Sequence, residues 1–289
     1  MKTFSIAAAL IALMLFRASA QVTVELVLNQ EEFLPGESLP VTVKITNLSG
    51  RQLHLGTEAN WLTFSVESAD GFVVAKNSDV PLPGAFDLES SQIGKVPVDL
   101  APYFGLTRPG RYKITATLRI KELSAEVSSA RKSFDIVSGA NLWSQNFGVP
   151  ATNGVPVMRK FTLEQVSYLH DQMRLYVQLS DAAEAVIFKT TPLGQTVSFS
   201  RPEAQVDRYS HLHVLWQSGA QAFNYSVVNP DGLVVRTEIY DYFNTRPRLA
   251  VDQNGNVLVI GGVRRPKPGD LPDVRTPAEV PAPATAPAK

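Results

Sequence analysis

From Leu39 to Ile45 the chain places an apolar side chain at every second position: Leu39, Val41, Val43 and Ile45 alternate with Pro40, Thr42 and Lys44. The same beat returns in RYKITATLRI, where Tyr112, Ile114, Ala116, Leu118 and Ile120 fall on one face and Lys113, Thr115, Thr117 and Arg119 on the other. A period of two is the pattern of a strand with one buried and one wet face. No stretch of useful length carries the 3.6-residue period of an amphipathic helix, so the chain is predicted to be all-β. Pro35-Gly36, Asn47 to Gly50, Ala69-Asp70-Gly71 and Pro109-Gly110 punctuate the alternating runs as turns. About seven short strands between residues 21 and 138 predict an antiparallel sandwich.

The phrases LPGESLPVTVKITN and LTRPGRYKITATL resemble exported bacterial immunoglobulin-like domains, in which a Pro-Gly turn precedes each of two long strands. The resemblance implies that Tyr112 bonds backbone at a corner of the sandwich. Domains of this kind serve as spacers, as partner-binding modules and, in one bacterial family, as proteinase inhibitors. No exposed loop identifies an inhibitor; the segment Asn77 to Gly94 is the longest loop-like stretch, a connecting loop in the plainer reading and a candidate contact surface in the other.

Residues 139–157 read as a linker, and 158–264 as a second β domain with internal repeats. Arg201-Pro-x-x-x-Val206-Asp207 recurs 45 positions later as Arg246-Pro-x-x-x-Val251-Asp252. Thr191-Pro192-Leu193-Gly194 is matched with Asn229-Pro230-Asp231-Gly232, and Gln165-Val166 with Gln205-Val206. After Asp207 and Asp252 come four residues of turn and then a strand. Pro192, Gly194, Pro230 and Gly232 are expected to build Pro-x-Gly turns, and each Asp to order its turn through backbone bonds. A period near 40 residues is that of a four-stranded blade. The repeats are similar to those of exported β-propellers, including the sialidase-like blade families. The Ser-x-Asp-x-Gly-x-Thr-Trp pattern of sialidases is absent. About two and a half units fit, where a closed ring takes roughly four or more. Three arrangements are open: the blades extend the sandwich as one sheet, are completed by oligomerisation, or form a small independent domain; a compact all-β second domain is expected, with closure left open.

The ends set the compartment. Lys2, an apolar run from Phe4 to Phe16 and Ala18-Ser19-Ala20 have the three parts of a secretory signal peptide, residues 1–20. No second long apolar run follows, so no transmembrane segment is expected after cleavage. The chain has no cysteine, which fits a bacterial envelope better than a disulfide-dense secreted domain. Residues 265–289 carry seven prolines and read as a disordered Pro/Ala-rich tail. Lys+Arg and Asp+Glu balance at 27 each; without a net positive field, nucleic acid is a poor partner.

No motif of catalysis appears: no nucleophile elbow, no phosphate loop, no zinc-protease helix. His211 and His213 share a strand face and are weak metal candidates; exposed strand histidines are the plainer expectation. Arg201 and Arg246 are candidate grips for anionic groups, and Tyr240 and Tyr242 for stacking on a sugar or peptide. No cofactor is expected. The function expected is an exported, periplasmic or extracellular, non-catalytic binding or assembly protein whose partner is a protein, a glycan or itself. The alternatives are a proteinase inhibitor acting through a sandwich loop, and a glycan-directed hydrolase or lectin-like module on the repeats.

Overall fold

The computed structural model describes residues 22–150, 156–168, 172–197, 199–267 and 270. The expected signal peptide and most of the tail lie outside the described residues. The described chain is almost entirely strand, with one short 3-10 turn at Ala101–Tyr103, and none of its helices is long and apolar enough to cross a membrane.

The first half holds β1 (Val22–Leu28), β2 (Glu32–Phe33), β3 (Pro40–Asn47), β4 (Leu53–Leu55), β5 (Leu62–Ser68), β6 (Phe86–Leu88), β7 (Ile93–Asp99), β8 (Gly110–Ile120), β9 (Ala125–Ser128) and β10 (Lys132–Ile136). One sheet runs β1-β3-β7, a second β2-β10-β8-β5 with β9 on β8, and β4 pairs with β6. Their inner faces share one core. Val41, Val43 and Ile45 on β3 meet Ile114, Ala116 and Leu118 on β8, all of them fully buried. The alternating residues of each strand stay wet, as the period of two requires. Tyr112 stacks on Phe134 at 5.6 Å, and its hydroxyl donates to Arg108 O at 2.8 Å. The Asn77–Gly94 stretch is only partly a loop: it contains β6 and runs into β7, because Phe86 and Leu88 have core to pack against.

The second half holds β11 (Ala140–Val149), β12 (Val157–Tyr168), β13 (Gln172–Asp181), β14 (Ile187–Thr196), β15 (Glu203–Val206), β16 (Leu212–Gln217), β17 (Ala222–Val228), β18 (Val234–Asp241), β19 (Arg248–Val251), β20 (Val257–Ile260) and β21 (Val263–Arg264). Two antiparallel meanders follow one another, β11-β12-β13-β14 and β15-β16-β17-β18, with β21 added at the end of β18 and β19-β20 as a separate hairpin. The segment expected to be a linker therefore carries a ten-residue strand, because Phe147 and the flanks of Trp143 have apolar surface to cover. Arg265, expected to begin the tail, stays against the sheet: its N–H donates to Ile239 O at 2.8 Å and its guanidinium pairs with Asp241.

The three pieces are layered. Phe161, Leu163, Leu175, Val177 and Leu179 of the first meander face Leu212, Val214 and Trp216 of the second. The second meander's other face presents Leu215, Phe223, Tyr225 and Val227 to Leu249 and Val259 of the hairpin. Every residue of β16 is consequently buried. The Trp216 Nε1–H crosses to Gln195 O at 2.9 Å, meeting the donor's need inside the layer stack.

Candidate functional site

One turn recurs through the second half, and its anchor is an Asp or Asn side chain. Asp207 Oδ1 accepts from the N–H groups of Tyr209 and His211, both at 2.8 Å. Asp252 Oδ1 accepts from Asn254 and Asn256, again at 2.8 Å. Asn229 Oδ1 accepts from Asp231 at 3.1 Å and Leu233 at 2.8 Å. In each turn the third residue after the anchor takes a positive φ: 64° at Ser210, 76° at Gly232 and 76° at Gly255. This is a hairpin turn ending in a left-handed residue. Pro230 fills the position after the Asn229 anchor.

The matched Thr191-Pro192-Leu193-Gly194 is no such turn, which corrects the expected pairing of Pro192 and Gly194 with Pro230 and Gly232. It lies inside β14, where Pro192 opposes Tyr176 and Gly194 opposes Leu175, leaving Leu193 as the extra residue of a bulge. Proline is tolerated there because a bulged edge does not need its missing N–H.

The two Arg-Pro arginines reach back toward the preceding layer. Arg201 donates to Leu142 O at 3.2 Å. Arg246 donates to Ser200 Oγ at 2.9 Å and lies 5.3 Å from the Phe223 ring centroid. Tyr240 is half-buried, with its hydroxyl donating to Glu238 Oε2 at 2.9 Å. Burial, and then the Glu238 carboxylate, push its pKa up to about 12. Tyr242 is partly exposed, its backbone N–H bound to Gln221 O.

The densest polar constellation is one that sequence reading missed. His213 sits in β16 with Nε2 3.1 Å from Asp207 Oδ2 and Nδ1 2.6 Å from the Tyr225 hydroxyl. Burial holds the His213 pKa below its ordinary value, against the pull of Asp207. A neutral ring beside an acceptor-only carboxylate has one consistent tautomer: Nε2–H donates to Asp207, and Tyr225 O–H donates to Nδ1. Burial pushes the Asp207 carboxyl up, but the His211 N–H, the His213 side chain and the Tyr209 N–H outweigh it and hold the pKa below the usual range. Next to this, buried Glu238 accepts from Arg236 and Arg264, both at 2.9 Å, as well as from Tyr240. His213 is 7% exposed, which corrects the expectation of an exposed strand histidine. Its face is roofed by the β19-β20 layer. His211, 3.6 Å from the same Asp207, is half-exposed. Among the described residues no group of three or more potential metal ligands is assembled.

A cleft of about 660 Å³ opens where the sandwich meets β14. Phe33, Phe104, Leu106 and Ile136 line one side and Phe188 and Thr191 the other. Gly36 and Glu37 of the turn after Pro35 also line it. Thr190 Oγ1 donates to Pro35 O at 2.6 Å and the Thr190 N–H to Gly36 O at 2.8 Å. Glu37, 7% exposed, accepts from the Leu34 N–H at 2.8 Å and from Gln30 at 3.1 Å, and burial pushes its pKa up. No local sequence signal marks this contact.

No family model matches the chain, and no curated protein does. Among solved structures, a crystal structure of Spo0M, a sporulation control protein from Bacillus subtilis, overlaps 58% of this chain and 82% of its own. The identity is 11% and the TM-score 0.31, an overlap too loose to carry fold or function. The described residues define an all-β protein of several sheets, with no closed barrel among them.

Proposed function

We propose that the chain is an exported, non-catalytic binding or assembly protein of the cell envelope, built from an immunoglobulin-like sandwich and blade-like β units. The observation that carries this reading is the saturation of the polar network. Asp207, His213 and Tyr225 bond in a row, with Asp207 also accepting from backbone, and the neighbouring Glu238 accepts from Tyr240, Arg236 and Arg264. A general acid or base needs a free bonding position toward substrate, and a nucleophile needs a lowered pKa. Tyr240 has the reverse. The cleft offers largely apolar walls with a buried, hydrogen-bonded carboxyl, a surface suited to contact rather than turnover. The signal-like N-terminus and the absence of cysteine support an envelope location.

The test has two arms. Fractionation of cells expressing the full chain should place it outside the cytoplasm. The mature protein, assayed on panels of glycans, peptides and esters, should turn over none. Turnover abolished by Asp207→Asn would overturn the non-catalytic reading.

A second reading, proteinase inhibition through the sandwich, is favoured by the irregular segment 77–85. It is exposed over most of its length, yet pinned by the Asn77 N–H to Tyr103 O at 2.8 Å and by Val80 and Leu82 against the core. An exposed loop with a fixed base is the form an inhibitory loop takes. Failure to slow any member of a proteinase panel would remove it.

A further inference from the structure

The layer stack stops halfway through a unit. Aligned on Asp207 and Asp252, β15-β16 and β19-β20 correspond residue by residue. Val206 opposes Leu212 as Val251 opposes Val257, each pair closing an Asp-anchored turn. On this alignment Val259 stands where Val214 stands, and both face the preceding layer. Leu258 and Ile260 stand where His213 and Leu215 stand. In the second meander those two positions are buried, His213 at 7% and Leu215 at 2% exposed. In the hairpin their counterparts are 39% and 49% exposed.

The edge is open as well as the face. β16 continues into pairing with β17, with Leu212 opposite Val228 and Val214 opposite Ser226. The counterparts of Leu212 and Val214 are Val257 and Val259, whose side chains pack inward but whose backbone groups point away from β19 by the alternation of antiparallel bonding. No strand pairs with that side of β20 among the described residues. Gly261 and Gly262, at φ 71° and 64°, then turn the chain back to pair β21 with Tyr240 and Asp241. A Cβ at Gly261 would lie 2.6 Å from Arg246 O, so this turn-away is fixed in the sequence.

We infer that the open side of β20 pairs antiparallel with β20 of a second copy, Leu258 opposite Leu258 on a two-fold axis. The inference deepens the assembly reading above and rests on it. Three observations select the occupant. Val257-Leu258-Val259-Ile260 carries no charge, no proline and no bulge, the features that protect natural edges. The register is self-complementary: it sets the outward groups of Val257 against those of Val259 from the other chain, and leaves Leu258 and Ile260 on one shared face. At the opposite end of the stack the β14 edge is occupied. β14 is covered by the sandwich through Thr190 with Pro35 and Gly36, and Val166 and Tyr176 pack on Leu34. Pairing of one β20 with another about a two-fold axis uses the same edge on both copies, so this contact closes as an isologous dimer. The 271–289 segment is a poor rival for the edge, because its five prolines lack the N–H a ladder needs.

The chain has no cysteine, so a single Leu258→Cys variant is a clean reporter. Light scattering of the mature protein over a dilution series should show a monomer–dimer equilibrium. Leu258→Cys should form a covalent dimer under mild oxidation, and an Ile93→Cys control on the sandwich should not. Leu258→Lys/Ile260→Lys, both changes at exposed positions, should leave the circular dichroism unchanged and shift the equilibrium to monomer by at least tenfold. A wild type that stays monomeric at every concentration overturns the inference. So does a dimer that the double lysine variant leaves intact, or one that cross-links at 93 and not at 258. The binding reading has its own readout: a monomer without turnover removes the dimer alone.

Discussion

Thr190 donates its hydroxyl proton to the carbonyl of Pro35 at 2.6 Å, across 155 residues of sequence. Both groups are buried, and the bond ties the first meander to the sandwich beside the cleft. Thr190→Val keeps the shape and removes the donor, leaving the Pro35 carbonyl buried without that partner. An unmet buried acceptor costs about 1–3 kcal/mol. Urea unfolding should show that loss, and Thr190→Ser, which keeps the hydroxyl, should recover most of it. An unchanged midpoint in Thr190→Val would mean the junction contributes nothing to stability.

Gly36 tests the same junction by sterics. It sits at φ 76°, and a Cβ there would lie 2.5 Å from Ile187 Cγ2. Gly36→Ala adds a left-handed backbone cost of about 1–2 kcal/mol to a clash with β14. Ile187→Ala removes the clashing methyl but not the backbone cost. The double variant should therefore be less destabilised than the sum of the singles, and a thermal double-mutant cycle measures the difference. Strict additivity would show that Gly36 and Ile187 do not touch in solution.

The alternation of Leu39 to Ile45 and of Tyr112 to Ile120 was enough to identify strands, because each lies on a sheet with one face in the core. The same logic misplaced His213. Periodicity reports one buried face, and β16 has two, the second supplied by Leu249 and Val259 from a hairpin far along the chain. Pro192 and Gly194 misled in another way. Pro-x-Gly spells a turn only where the chain is free to reverse, and inside β14 the pairing with β13 makes it a bulge. The recurring anchor was legible as Asp207 and Asp252, but its third instance, Asn229, was hidden behind the proline that follows it. The contact of Thr190 with Pro35 left no trace, since neither residue departs from what its own strand or turn asks for.

The Asx anchor makes a graded prediction. Asp252→Asn retains an acceptor oxygen for Asn254 and Asn256, whereas Asp252→Ala removes it. Loss of a side-chain acceptor of this kind costs about 0.5–2 kcal/mol. The alanine variant should lose stability in that range, and the asparagine variant a smaller part of it, in guanidinium unfolding. Because the β19-β20 layer roofs His213, the alanine variant should also speed hydrogen exchange along β16. Equal losses for Asn and Ala would show that the backbone bonds alone hold the turn.

His213 gives the pH dependence its sign. Its folded pKa lies below the unfolded value of about 6.5, so the folded state binds fewer protons than the unfolded one as pH falls. Its contribution is complete above about pH 6.5 and is lost as pH falls from there through the folded pKa. Asp207, also depressed, acts in the same direction but only below the ordinary carboxylate range. The His213 contribution should therefore decline as pH falls below about 6.5, while the buried Glu37 carboxyl, whose pKa is pushed up, acts in the opposite direction. His213→Gln removes the titrating ring while keeping an amide to meet Asp207 and Tyr225. It should lower stability at pH 7 and flatten the slope below about pH 6.5. Unfolding midpoints of both proteins across that interval decide it. A slope that persists undiminished in His213→Gln would assign the acid sensitivity to another group, and with it would go the neutral, doubly bonded imidazole at the centre of the network.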